Sequence, residues 1–78
     1  MTDQERLAQE HGPKLWLAIN KAAGELPEGC EIHIEIEKGA AWVNGYNASG
    51  GYVDFEQTHE LTEDITTALQ VIIEENEP

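Results

Sequence analysis

The run from Cys30 to Glu37 constrains this chain more than any other segment. Cys30, Ile32, Ile34 and Ile36 alternate strictly with Glu31, His33, Glu35 and Glu37. A period of two fits a half-buried strand and no helix. The segment therefore belongs in a sheet with one packed face and one wet face. The rest of the chain has to supply its partners and its cover.

Lys38-Gly39 suits a two-residue hairpin turn, after which Ala40 to Tyr46 returns as a second strand. Closing the turn there sets Ile36 against Ala41, Ile34 against Val43 and Ile32 against Gly45 on one face. The other face pairs Glu35 with Trp42, His33 with Asn44 and Glu31 with Tyr46. A slip of one residue would put Trp42 inside and Val43 outside. Asn47 to Gly51 is a loop with two permissive glycines. Its Asn47-Ala48-Ser49 sequon reads as loop chemistry. Tyr52 to Glu56 reads as a third short strand, with Val53 facing Gly45 and Phe55 facing Val43 inside. Tyr52, Asp54 and Glu56 then fall outside. All three strands agree on one partition, and such consistency supports it.

The flanking segments carry helical spacing. Thr2 and Glu5 have the layout of a capping box, which starts a helix near Asp3. Gly12-Pro13 is expected to break it, with Pro13 opening a fresh helix. From there Leu15, Trp16, Ile19, Ala22 and Ala23 form an apolar stripe, and Gly24 suits the stop. A final helix is expected from about Glu63 to Glu75, capped by Thr62. Its stripe is Leu61, Ile65, Ala68, Leu69 and Ile72. Anions at its C-terminal end should fray residues 74–78. The expected architecture is one α+β domain over 1–78, in the order α-β-β-β-α. A three-stranded antiparallel sheet carries the broken N-terminal helix and the C-terminal helix on one face.

With helices on one face, the other meets solvent. It would carry Glu31, Glu35, Glu37, Asp54 and Glu56 around Trp42, Tyr46 and Tyr52, with His33 and Asn44 among them. Crowding carboxylates on adjacent strands gains nothing for folding. Acids surrounding large rings do suit the grip on a basic partner: rings supply anchoring area, and charges supply steering. The competing reading is that acidity only keeps a small protein soluble.

Charge narrows the partner. Sixteen Asp and Glu stand against four Lys and Arg, a net charge of −12. Such a chain repels nucleic acid and anionic membrane, and it attracts basic protein surfaces. The single cysteine, Cys30, forms no internal disulfide, as expected of a reducing cytoplasm. The polar N-terminus lacks the layout of a signal peptide, and no apolar run approaches the roughly 20 residues that span a bilayer. An enzyme is not expected: none of the carboxylates marks a pocket. His11, His33 and His59 lack metal-ligand spacing, so no metal or cofactor is expected. Cys30 has no basic neighbour to activate it and reads as a buried structural thiol.

In size, charge and its acidic strand Glu31-Ile32-His33-Ile34-Glu35-Ile36-Glu37, the chain resembles small acidic inhibitors encoded by bacteriophages, among them anti-CRISPR proteins and DNA mimics. Those proteins share no single fold, so the resemblance implies a mode of action rather than an architecture. It implies an inhibitor or adaptor in the bacterial host cytoplasm. Its partner would be a CRISPR effector or another nucleic-acid-binding complex, whose basic site the acidic surface occupies. The alternative is a structural or assembly accessory protein that works as a homodimer or larger homo-oligomer.

Overall fold

Alternation and turn chemistry produce the expected hairpin. The computed structural model describes residues 3–76, with side chains from residue 12 onward. The elements are α1 (Asp3–Glu25), β1 (Glu31–Glu37), β2 (Ala40–Tyr46), β3 (Tyr52–Val53) and α2 (Leu61–Asn76). The three strands form one antiparallel sheet in the order β1-β2-β3. β1 and β2 pair in the expected register, from Glu31 opposite Tyr46 to Glu37 opposite Ala40. Gly39 takes φ of 89°, which a two-residue turn tolerates best from glycine. In the next loop Asn47 Oδ1 accepts from the N–H of Ser49 and Gly51 and from Ser49 Oγ. The sequon is thus a side-chain-closed turn.

Val43, Gly45 and Val53 are buried beneath α2. The α2 stripe of Ile65, Ala68, Leu69 and Ile72 is buried as its periodicity requires. A Cβ on Gly45 would lie 3.4 Å from Ile72 Cδ1 and 3.7 Å from Ala68 Cβ, so α2 rests directly on β2. Ala18 and Ala22 of α1 join Val43, Ile65, Ala68 and Leu69 in one cluster, which places both helices on the same face of the sheet. Cys30 is buried in a smaller cluster with Val53 and Ile72. Among the described residues no helix is long and apolar enough to cross a membrane.

Several details depart from expectation. α1 runs unbroken through Gly12-Pro13. The φ of proline is already helical, so the helix can continue through Pro13 at the cost of one main-chain hydrogen bond and of crowding against the carbonyl four residues earlier. Thr2, the proposed cap, lies outside the described residues. The buried stripe of α1 includes Ala18, whereas Trp16 is 65% exposed. Thr62 does not cap α2. Glu60 does: its carboxylate accepts from the N–H of Thr62 and Glu63, and its carbonyl from the N–H of Asp64. Glu74 and Glu75 are helical. Asn76 Nδ2 donates to the carbonyl of Ile72 and satisfies one of the last-turn acceptors.

The third strand is the largest correction. It ends at Val53 rather than Glu56, and Phe55 forms no ladder pair with Val43. The Gln57 side chain takes that place. Its Oε1 accepts from Val43 N–H at 3.4 Å, and its Nε2 donates to Val43 O at 2.7 Å. Asp64, fully buried, anchors the same segment. Its Oδ1 accepts from Thr58 N–H at 2.8 Å and from Thr58 Oγ1 at 3.0 Å, while Oδ2 has no protein partner. The chain turns into α2 at His59, whose φ is 66°.

Candidate functional site

The face opposite the helices is built by the wet half of each alternation. β1 contributes Glu31, His33, Glu35 and Glu37, and β2 contributes Trp42, Asn44 and Tyr46. β3 adds Tyr52, opposite Tyr46. Ladder pairing brings three rings into a row across the sheet. His33 and Tyr46 have centroids 4.6 Å apart at 47°, and Tyr46 and Tyr52 are 4.9 Å apart at 37°. These are the tilted contacts that ring quadrupoles favour. His33 reaches Tyr46 along the diagonal, the second-nearest neighbour relation between paired strands.

Carboxylates flank the row. Glu31 Oε1 lies 3.5 Å from His33 Nε2. Glu35 is half-buried opposite Trp42, which is itself half-buried. Tyr52 remains 69% exposed. The Tyr46 phenol is pushed up from 10.0 to about 12. The Tyr52 hydroxyl beside it acts first, then desolvation, then the negative charges of Tyr52, Glu35 and Glu31, all of which oppose a phenolate.

The structure therefore brings Glu31, His33, Glu35, Trp42, Asn44, Tyr46 and Tyr52 onto one face, with Glu37 at the turn end of that face. It does not hold Asp54 and Glu56 there. Both are exposed, but β3 stops before them, so no ladder fixes them to this face. Among the described residues no group of three or more His, Cys, Asp or Glu side chains converges as a metal site.

The apolar side of β1 is less covered than expected. Ile32 is half-buried, Ile34 is 38% exposed and Ile36 is 79% exposed. α1 packs against α2 and does not reach over the turn end of the hairpin. An open groove of about 190 Å³ runs between α1 and β1, lined by Ile19, Ala23, Leu26, Ile32, Ile34 and Ile65. The alternation in β1 marks which way these isoleucines point. It carries no signal of how far a helix extends over them.

Compared with protein-family models, curated proteins and solved structures, the chain matches none of them.

Proposed function

We propose that this chain is a protein-binding inhibitor or adaptor that sets its acidic, ring-bearing sheet face on the basic, nucleic-acid-binding site of another protein. The supporting observation is the row His33, Tyr46, Tyr52, flanked by Glu31 and Glu35 on the face that neither helix covers. Monomer folding gains little from three carboxylates along one wet strand or from a tyrosine left in water. A basic groove needs both. Carboxylates take the positions of phosphates against its Lys and Arg, and the rings supply the area that water must leave. No catalytic step is assigned to the chain. In the resemblance drawn above, the partner is a CRISPR effector or similar complex, met in a bacterial cytoplasm by a phage-derived inhibitor.

Charge-dominated docking weakens as salt rises, because screening acts within about 10 Å at 0.1 M ionic strength. The test is capture from a bacterial lysate at low and high salt, followed by competition between the chain and nucleic acid for the captured protein. The expected result is a basic protein that releases nucleic acid when the chain is added. A double Glu31→Lys, Glu35→Lys variant should lose it. Trp42→Ala should weaken capture more than Glu35→Gln. Capture that ignores salt and charge reversal, or a captured protein that keeps its nucleic acid, would remove this reading.

A further inference from the structure

Hydrogen-bond parity fixes which main-chain groups of β1 are left over. Asn47 donates its N–H to Gly51 O, and Gln57 occupies both main-chain groups of Val43. Odd-numbered residues of β2 therefore bond toward β3, and even-numbered ones toward β1. Ala40, Trp42, Asn44 and Tyr46 pair with Glu37, Glu35, His33 and Glu31. The N–H and C=O groups of Ile32, Ile34 and Ile36 thus point away from the sheet along its free edge. Among the described residues none pairs with them.

The two sides of that edge differ in chemistry. On the helix side lie the exposed flanks of Ile34 and Ile36 and the apolar groove beneath α1. Trp16 precedes Ala23 by two helical turns, so it continues the α1 flank that lines the groove, and it is 65% exposed. On the opposite side Glu31, His33, Glu35 and Glu37 follow one another at every second residue, three carboxylates and one imidazole. A strand laid along this edge would turn alternate side chains into the groove and the others toward the carboxylates.

We propose that the free edge of β1 accepts an extended segment of a partner protein in which basic and apolar residues alternate. Main-chain groups of Ile32, Ile34 and Ile36 bind the segment by strand addition. Its apolar residues enter the groove, and its Lys or Arg residues meet Glu31, Glu35 and Glu37. This rests on the reading that the partner is basic, and it adds how that partner is held. Charge decides against a second copy as occupant. Antiparallel pairing of two β1 strands centred on Ile34 sets Glu31 of each copy opposite Glu37 of the other. Centring on His33 sets Glu31 opposite Glu35. Directly opposed like charges destabilise a ladder, and here they would add to two chains of net charge −12.

The test is an amide-resolved NMR titration with a capped peptide of alternating Lys and Val as long as β1. The control is the same peptide N-methylated at the amides that would face β1, with equal charge and side chains. The expected result is shifts and exchange protection at the amides of Ile32, Ile34 and Ile36, with the methylated peptide weaker by about tenfold or more. Ile36→Pro removes one outward N–H without touching the β1–β2 ladder, so it should weaken binding similarly, and Ile36→Thr much less. Equal binding of both peptides, with shifts confined to Glu35, Tyr46 and Tyr52, would overturn strand addition and leave the acidic face as docking site. Failure of both peptides to bind at low salt would overturn both proposals. A dimer in which the Ile32, Ile34 and Ile36 amides are protected without peptide would make the occupant a second copy instead.

Discussion

The two edges of this sheet meet the same physical problem and treat it in opposite ways. On the far side of β2 the partner strand lasts only from Tyr52 to Val53, yet the main chain beyond it is not left bare. Gln57 uses its side-chain amide as a one-residue strand and satisfies both groups of Val43. Thr58, next in the chain, is tied to the buried carboxylate of Asp64. On the near side, β1 is a seven-residue strand with its outward groups unpaired and two isoleucines beside them in water. Proteins usually blunt long edges with charge, proline or a covering element, since an open edge invites another strand. This chain blunts β1 with glutamates of one sign. That guards against acidic or neutral strands and against itself, and it leaves the edge open to a basic one.

The closed edge should depend most on Asp64. Asp64→Ala removes two hydrogen bonds to a buried carboxylate and strands the Thr58 N–H, each bond to a charged group being worth about 1.5–3 kcal/mol. The expected loss is about 3 kcal/mol in chemical denaturation, a large share of a small domain's stability. Asp64→Asn keeps an oxygen acceptor for Thr58 and should lose clearly less. Equal losses for the two variants would mean that charge at the helix N-terminus matters more than the clamp. Gln57→Ala comes next, at about 1–2 kcal/mol, because it leaves both main-chain groups of the buried Val43 without partners. In that variant the Val43 amide should exchange with solvent as fast as the Ile34 amide does in the unaltered chain. If Val43 stayed protected, the two edges would not differ in the way argued.

This contrast also marks where the sequence stops being informative. Strict alternation in β1 and a two-residue turn leave one register that sorts Ile34 with Val43 and Glu35 with Trp42, and that register is present. The ring row follows from the same arithmetic. Local pattern says nothing about where pairing ends. Phe55 has the right parity for a third strand, but a side-chain amide competes for the same two groups on Val43 and takes them. Nothing in the run Asp54 to Glu60 distinguishes Gln57 from a solvent-facing polar residue. Asp64 likewise reads as a first-turn acid placed for the helix dipole, and its burial depends on Thr58 arriving from outside the helix. Exposure of Ile34 and Ile36 is a tertiary fact too, because it depends on α1 leaning on α2 rather than on β1.

The open edge should be nearly indifferent to change when no partner is bound. Ile36 is 79% exposed, so Ile36→Thr keeps a β-branched side chain and should alter stability by no more than about 0.5 kcal/mol. Thermal or chemical unfolding measures this. A larger loss would show that Ile36 supports the fold, which would weaken the case that it waits for an occupant.

The smallest effect belongs to Tyr46, which sits between the edges, opposite Glu31 of β1 and Tyr52 of β3. Its phenol is raised to about 12 from 10.0, with Tyr52 as the first cause and Glu35 and Glu31 among the later ones. A raised acid favours its neutral form in the folded state. The stabilisation is therefore complete below pH 10 and is lost as pH climbs through 12. Tyr46→Phe cannot form the phenolate, so its stability should fall less steeply across that window. Phenolate absorbance followed by pH should show a late-titrating tyrosine that disappears in this variant and moves to lower pH in Tyr52→Phe. A shift toward lower pH in Glu31→Gln as well would show that the charge on β1 reaches the ring row. No shift there would mean that Tyr46 responds only to its neighbour on β3, so that the open edge and the ring row act as separate surfaces.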